Sequence, residues 1–539
     1  MKQLVMEKRT FDIYKFMTSK KAMLFSGIVC AVPFVFKYAA LLSWFGYIPC
    51  ALLFCSQKLQ NTVRNYFLKM FIFGFFFYVT GYSWLCELYP MDFIGFNRIQ
   101  SLLVILLALT AIPALHALML AAAATICRVL TLHASCSWRI FAFPCVICFT
   151  EYLQSLGALA FPWCRIFVTQ SAFPALLQSA SLFGSYFITY LVLLINALLA
   201  AMLIRPAHRK LLFAAACGLF CANLIFGAVR MAYMQSTFRD DSAPHFNAIV
   251  LQGNIPSDQK WNGSTADMFA HYLNLCDSAL AETETETDNT SRGTLVLIPE
   301  TALPVTFSAA SPYVEALKSY VGEKNITFAA GAFSETKDGS GNSLFLFSPD
   351  GTVSAPYTKR HLVPFGEYLP YRPLFEKFLP ALAQVNVLAE DLVSGSDTAV
   401  FDSPMGKLGT LICYESIFPE LARESICDGA EILLVSTNDS WFADSAALRH
   451  HLANAQMRAI ENRVPVLRAA NTGISALITP DGRTVAALGA NQTGYLYAQL
   501  PCTDGGTLYR RIGDILLVFA ALYLILCALY SRIHSRNTK

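Results

Sequence analysis

The sequence predicts a membrane helical bundle of about eight spans joined to an external α/β domain. Of the 539 residues, 55% are hydrophobic and only 14% are charged, whereas soluble domains carry about a quarter charged residues. Long apolar segments are concentrated before residue 230 and near the C-terminus. Between them, short apolar runs alternate with longer polar-faced stretches, a pattern typical of alternating strands and helices.

Eight apolar segments approach the length needed to cross a bilayer, which is about 20 residues. The predicted spans are 22–36, 38–56, 69–86, 101–126, 139–158, 182–204, 211–229 and 513–531. They divide the chain into an N-terminal transmembrane domain of about seven spans (1–230), an external domain (231–512), and a closing span with its tail (513–539).

Lys and Arg in the short loops predict the orientation, because such loops stay on the cytoplasmic side. With the N-terminus inside, the loops that hold Lys58, Arg128 and Arg209 also lie inside, as does the C-terminal tail. We therefore expect both termini in the cytoplasm, the spans in a bacterial inner membrane, and residues 231–512 outside, in the periplasm of a Gram-negative cell or its equivalent. The net charge of +3 and the lack of a concentrated basic patch argue against a nucleic-acid partner.

The external segment shows a mixture of strand and helix patterns, which predicts α/β layers. Expected strands are 245–252, 294–298, 326–333, 343–347, 408–412, 431–435, 464–469 and 474–479, and expected helices are 265–280, 312–321, 416–425 and 446–463. Residues 370–395 are apolar with few charges. They are interpreted either as a loop or short helix at the membrane interface above a site, or as ordinary packing.

Three separate segments carry residues suited to nucleophilic catalysis. Glu300 and Cys413 each follow an apolar strand, the position where α/β enzymes present reactive groups, and Lys359 precedes a Pro-Phe-Gly turn. Taken singly, Cys413 is typical of a small buried apolar residue and the charged groups are typical of a surface. Together they supply a thiol, a carboxylate base and a cation that can stabilise a thiolate and an oxyanion.

No histidine fits the role of base clearly. His361 lies beside Lys359 and is interpreted as structural, while His450 and His451 are expected to be solvated on a polar helix. The 16 cysteines show no zinc or disulfide framework, so neither a metal nor a cofactor is predicted.

The segments around these residues resemble the Glu-Lys-Cys triad of the nitrilase superfamily. With the predicted topology, nearly the whole chain is similar to the apolipoprotein N-acyltransferase family, a membrane-embedded branch. The motifs that carry the resemblance are Gln252-Gly-Asn-Ile-Pro256 with Trp261, Pro299-Glu300-Thr-Ala-Leu-Pro304, His361-Leu-Val-Pro-Phe-Gly-Glu367, Cys413-Tyr-Glu415, Asn438-Asp-Ser-Trp-Phe442, Arg468-Ala-Ala-Asn-Thr-Gly473 and Phe161-Pro-Trp163. Ala160 stands where the family pattern leads us to expect glycine, a departure that leaves the chemistry untouched.

The resemblance implies a four-layer αββα sandwich mounted on a helical bundle. It implies that Glu300 is the general base, Cys413 the nucleophile, and Lys359 the oxyanion stabiliser, helped by the backbone N–H of Tyr414. Residues implied to orient Lys359 or the nucleophile, or to handle substrate, are Glu367, Glu415, Trp261 and Tyr414.

The reaction that the resemblance implies is a ping-pong acyl transfer. A membrane phospholipid, expected to be phosphatidylethanolamine, would acylate Cys413, and the thioester would then acylate the N-terminal cysteine of a diacylglyceryl-modified apolipoprotein. One alternative is a membrane-anchored amidase or nitrilase, for which eight spans are excessive. Another is a transporter with an external receptor-like domain, which the scarcity of intramembrane charges, mainly Glu151, argues against.

Overall fold

The computed structural model describes residues 12–56, 62–91, 95–238, 244–283, 291–378, 391–396, 398 and 400–537. It consists of a helical bundle and a domain built on two β-sheets. The bundle helices are Lys20–Val35, Ile48–Cys55, Val63–Gly81, Arg98–Leu130, Cys136–Leu153, Ser185–Ile204, Arg209–Phe238 and Ile515–Asn537, with a 3-10 helix at Lys37–Trp44.

Within the described residues, five helical segments are long and apolar enough to cross a membrane. These segments are Lys37–Cys55, Arg98–Leu130, Ser185–Ile204, Pro206–Phe238 and Ile515–Ser535. The predicted spanning helices are thus supported in part, and the number eight stays a prediction. The segment predicted as span 38–56 is divided into a 3-10 helix and a short α-helix whose first turn contains a proline, a residue suited to that position because its missing N–H is not needed there.

Among the residues that the structure describes, thirteen strands form the two sheets of the other domain. In chain order they are β1 (His245–Gln252), β2 (Ser291–Leu297), β3 (Thr306–Phe307), β4 (Thr327–Thr336), β5 (Gly339–Phe347), β6 (Tyr357–Thr358), β7 (Val400–Phe401), β8 (Leu408–Ile412), β9 (Ile432–Thr437), β10 (Val466–Ala470), β11 (Ser475–Ile478), β12 (Thr484–Leu488) and β13 (Gly494–Pro501). The first sheet has the order β13-β1-β2-β4-β5-β6, with β3 beside β4, and the second has the order β12-β11-β10-β9-β8-β7.

The centre of each sheet is parallel, which gathers functional side chains at one edge. Strands β1, β2 and β4 run parallel in the first sheet, and β8, β9 and β10 run parallel in the second. Residues that follow β2, β8 and β9 therefore emerge at the carboxyl ends of parallel strands, where α/β proteins bind ligands.

The two sheets pack face to face, and helices cover their outer faces. Side chains such as Leu297 of β2 and Leu434 of β9 share one buried apolar cluster between the sheets. The covering helices are Thr265–Thr283 and Pro312–Lys324 on the first sheet, and Pro419–Cys427 and Ala446–Asn462 on the second. The domain is thus a four-layer αββα sandwich, and its last helical layer shares a continuous apolar cluster with the bundle.

The predicted helix 416–425 is wrong as a single element. A 3-10 helix covers Cys413–Ile417, and an α-helix starts afresh at Pro419, because proline has no N–H to donate and suits the first helical turn. Strands β3, β6, β7, β12 and β13 were not predicted, since the first three contain two residues each and show no periodicity.

The apolar segment 370–395 contains a short helix, Arg372–Phe378. Tyr371, Leu374 and Phe378 are exposed. Residues 379–390 lie outside the described residues. Both interpretations of this segment stay predictions.

Candidate active site

Cys413 is held in an unusual backbone conformation at the end of β8. Its φ is +54°, in the left-handed region that residues other than glycine rarely adopt. Burial raises the pKa of the Cys413 thiol, the charge of Glu300 raises it further, and Lys359 opposes both. The resting thiol is therefore protonated, and a nucleophilic role requires a base.

The acid–lysine cluster consists of Glu300, Lys359, Glu367 and Asn342. Lys359 Nζ lies 3.1 Å from Glu300 Oε1 and 2.9 Å from Glu367 Oε1. The Asn342 amide donates to the same two oxygens, at 2.7 and 3.0 Å. Burial lowers the pKa of Lys359, but the two carboxylates outweigh it and hold that pKa well above its ordinary value. Lys359 is thus a fixed positive charge.

Glu300 is ionised and anchored by both sheets. Its Oε2 accepts the backbone N–H of Asn438, which follows β9, at 2.9 Å. Burial alone would raise the pKa of Glu300, but the charges of Lys359 and Lys260 and hydrogen bonds leave it below the ordinary value. A buried carboxylate in this state can accept a proton from the thiol.

Lys260 is a second buried cation at Glu300, and its role was not predicted. Its Nζ donates to the backbone carbonyl of Glu300 at 3.1 Å and to Thr301 Oγ1 at 2.6 Å. Burial lowers the pKa of Lys260 to about 8. The predicted substrate residue Trp261 is exposed, and its ring is tilted by 35° from that of Phe333, with 6.2 Å between the ring centroids. Adjacency to Trp261 was the available signal for Lys260.

Glu415 connects strand β8, which ends beside Cys413, to the segment that carries Lys359. Its carboxylate accepts the backbone N–H groups of Ile412 at 2.7 Å, Arg360 at 2.7 Å and His361 at 3.1 Å. Glu415 therefore fixes the residues immediately beside Cys413 and Lys359 through their backbone.

Tyr414 joins this site to the bundle. Its hydroxyl donates to the carbonyl of Ala160 at 2.7 Å, and its ring lies 6.4 Å from that of Phe161. Ala160 and Phe161 begin the short motif that ends at Trp163. The site therefore directly adjoins the helical part of the chain.

The prediction that His450 and His451 are solvated is wrong. Their exposed fractions are 3% and 1%, because helix Ala446–Asn462 is enclosed between the second sheet and the bundle. His450 accepts from Trp163 Nε1 at 3.1 Å and donates from Nε2 to the carbonyl of Phe34 at 2.7 Å. His450 is thus a contact between the two halves of the chain.

The Asp439 cluster consists of Asp439, His451, Arg468 and Thr437. His451 Nδ1 lies 2.9 Å from Asp439 Oδ1, and Arg468 donates to the other carboxylate oxygen. On its far side His451 Nε2 contacts the carbonyl oxygen of Cys413 at 2.9 Å. Burial opposes ionisation of Asp439, but the charges of Arg468 and His451 and hydrogen bonds hold its pKa below the ordinary value.

The Asp439 cluster was missed as a functional group. Asp439 follows β9 as Cys413 follows β8, so the strand-end rule applied to Cys413 was the signal that pointed to it. Donor atoms of Cys413, Asp439 and His451 lie within 4.8 Å of one another, as a metal site would require. The buried Arg468 guanidinium already neutralises Asp439, so the residues fit a metal ion poorly.

Comparison with known proteins first defines the class of each half. Residues 250–509 match the carbon-nitrogen hydrolase family model, which agrees with the two-sheet domain. Residues 26–198 match the model of the apolipoprotein N-acyltransferase N-terminal domain.

Curated relatives then define the family. The apolipoprotein N-acyltransferase of Bradyrhizobium diazoefficiens is 32% identical over 74% of this chain and 74% of its own length. Those of Geobacter metallireducens and Rhodopseudomonas palustris are each 31% identical, covering 70% and 85% of this chain and 71% and 85% of their own lengths. This chain belongs to the apolipoprotein N-acyltransferase family, so the resemblance seen in the sequence is confirmed.

Proposed function

We propose that this protein transfers an acyl chain from a membrane phospholipid to the N-terminal cysteine of diacylglyceryl-modified apolipoproteins. The observation that carries the proposal is the meeting of Cys413 with an ionised Glu300 and a charged Lys359 where the sandwich adjoins the bundle. The names of the relatives support the acceptor, and the apolar bundle supports a lipid donor.

In the first half-reaction, Glu300 takes the proton of the Cys413 thiol as its sulfur attacks the acyl ester carbon. The new C–S bond produces a tetrahedral oxyanion, which Lys359 and the backbone N–H of Tyr414 stabilise. The ester C–O bond then breaks, the leaving alkoxide takes the proton from Glu300, and a lysophospholipid departs. A thioester remains on Cys413.

In the second half-reaction, the α-amine of the lipidated cysteine attacks the thioester. An N–C bond forms, the C–S bond breaks, and Glu300 accepts an amine proton and returns it to the thiolate. The product is an amide, and the enzyme regains its protonated Cys413. Glu367 and Glu415 hold Lys359 and the nucleophile in place, and Trp261 and Tyr414 contact substrate.

We propose that the helical bundle serves the same acyl transfer. Eight spans with both termini in the cytoplasm would place residues 231–512 in the periplasm, where the domain lies over the outer leaflet. Both substrates are lipids, so they would reach the site from the bilayer. An apolar, water-poor entrance would also protect the thioester from hydrolysis.

The test is acylation of the purified full-length protein in detergent with phosphatidylethanolamine that is radiolabelled in its acyl chains. We expect label that hydroxylamine releases in wild type and none in Cys413→Ala. Cys427→Ala is the matched control, because Cys427 is an exposed free cysteine of the same domain, and it should take up label normally.

Absence of label in wild type, or equal label in Cys413→Ala, would show that the acyl-thioester proposal is wrong. When wild type is labelled, adding a synthetic diacylglyceryl peptide should transfer the label from Cys413 to the peptide. Discharge to water alone would favour the carbon-nitrogen hydrolase alternative.

A further inference from the structure

The carbonyl of Cys413 is bound from two directions. Ser416 Oγ donates to it at 2.9 Å from within the same short 3-10 helix, and His451 Nε2 contacts it at 2.9 Å from helix Ala446–Asn462. A carbonyl oxygen can only accept, so His451 Nε2 carries a proton and donates it. This assignment holds whichever group Nδ1 meets.

Restraint of that carbonyl also restrains the next N–H. A trans peptide unit is planar, with its C=O and N–H pointing to opposite sides, so the Cys413 carbonyl and the Tyr414 N–H turn together. The left-handed φ of Cys413 is a strained conformation, which persists only where the surroundings over-determine it. Ser416 moves with the turn, whereas His451 ties it to another element.

His451 is itself fixed by a buried framework. Asp439 Oδ1 lies 2.9 Å from its Nδ1, Arg468 Nη2 lies 3.2 Å from the same nitrogen, and Thr437 donates to Asp439 at 2.7 Å. Gly473 makes room for this framework, because a Cβ there would lie 2.3 Å from Asp439 Oδ2. All of these side chains are buried, so the imidazole has a single orientation.

We propose that His451 is a positioning residue that aims the Tyr414 N–H at the oxyanion by donating to the Cys413 carbonyl. Donation to that oxygen also polarises the peptide and strengthens its N–H as a donor. The inference rests on the proposed acyl transfer and assigns to this histidine an indirect role. His451 neither takes the thiol proton nor touches the acyl group.

Two reactions of Cys413 separate positioning from simple structural support. Alkylation by iodoacetamide needs the sulfur and its base but no oxyanion donor, because that displacement forms no tetrahedral oxyanion. Acylation by labelled phosphatidylethanolamine, or by p-nitrophenyl butyrate in a burst assay, needs the oxyanion donor. Both are measured on full-length protein in detergent, with alkylation followed on the Cys413 peptide by mass spectrometry.

The variants are His451→Leu, which removes the donor, and His451→Gln, whose amide nitrogen can replace Nε2. We expect His451→Leu to slow acylation about 10- to 100-fold, since loss of a whole oxyanion donor costs about 10²–10³ in rate. Its alkylation rate should stay within about threefold of wild type, and His451→Gln should restore most of the acylation rate.

Two further variants are matched controls. His271→Gln changes another histidine of the same domain that contacts a backbone carbonyl, that of Gly253 at 3.1 Å, and should acylate within about threefold of wild type. Ser416→Ala removes only the donor inside the turn and should cost less than His451→Leu.

Wild-type acylation in His451→Leu would overturn the inference, as would a parallel fall of alkylation and acylation without recovery in His451→Gln. If wild type takes up no phospholipid label, the proposed function fails separately. The p-nitrophenyl burst then still decides the role of His451.

Discussion

Cys413 lies between two buried charged clusters that differ in origin and composition. The acid–lysine cluster follows strands of the first sheet and places two carboxylates around Lys359. The Asp439 cluster belongs to the second sheet and its covering helix, and it places an arginine and a histidine around a single carboxylate.

The difference between the clusters indicates that each has its own task at Cys413. In the acid–lysine cluster the charged atoms can meet the reacting groups, so it suits proton transfer and charge stabilisation. The Asp439 cluster contacts the backbone carbonyl of Cys413 through His451 and its thiol through Thr437, so it suits positioning of that residue. Face-to-face packing of the two sheets brings both to one sulfur.

The largest expected effect is on the acid–lysine side. Glu300→Gln keeps an acceptor for Lys359 but cannot take the thiol proton, so the rate of acyl-enzyme formation should fall about 10²–10⁴-fold. Single-turnover labelling from phosphatidylethanolamine measures this rate. Glu367→Gln, which leaves the base intact, should lose less, and equal losses would contradict the assignment of Glu300 as base.

In the Asp439 cluster, a substitution should mainly lower the stability of the folded protein. Arg468→Met leaves Asp439 buried without its cation, which should lower the free energy of unfolding by about 3–5 kcal/mol. Beside Arg468, the pKa of Asp439 in the folded protein lies below its ordinary value. The stabilisation is therefore present above about pH 4 and is lost as the pH falls through the folded-state pKa.

Thermal unfolding of wild type and Arg468→Met, measured above and below about pH 4, tests the Arg468 prediction. The difference between wild type and Arg468→Met should be greatest above about pH 4 and shrink below it, because a protonated Asp439 needs no cation. A difference that is independent of pH would assign the loss to packing instead.

The smallest expected effect comes from Lys260. Its pKa of about 8 means that its charge is lost as the pH rises through that value, and the Cys413 thiolate then loses one of the cations that stabilise it. The first half-reaction should slow by about threefold to tenfold, the range of a shift of up to one pKa unit. Lys260→Met should lack this pH step, and an identical step in both proteins would exclude Lys260 as its source.

Loss of stability through Lys260 cannot explain a slower first half-reaction at high pH. The unfolded chain holds this proton up to about pH 10.4, whereas the folded chain releases it near pH 8. Between these values the unfolded state binds more protons, so the contribution of Lys260 to stability rises with pH.

The strand-end residues were the part of the site that the sequence could predict. Strand β8 has the predicted bounds and β2 ends within one residue of its predicted end, so the positions of the groups that follow β2 and β8 could be inferred from apolar runs alone. The same rule extends to Asp439, which was not singled out, but nothing in the sequence indicates that Arg468 and His451 converge on it. That convergence depends on long-range packing of β9, β10 and a helix.

His450 and His451 show why the rest of the site could not be predicted from the sequence. A polar stripe on a helix is normally interpreted as solvent-facing. In helix Ala446–Asn462 the stripe instead meets buried partners, including the carbonyl of Phe34, and even Arg458 and Glu461 of this helix are fully buried. Sequence periodicity reports polarity, and it does not distinguish water from a polar partner in another part of the chain.

Three consecutive residues of that helix bind both halves of the protein. Arg449 and His450 donate to the carbonyls of Val35 and Phe34 at the end of a bundle helix, at 2.8 and 2.7 Å. The next residue, His451, contacts the backbone carbonyl of Cys413. The position of Cys413 is therefore fixed relative to the end of one bundle helix.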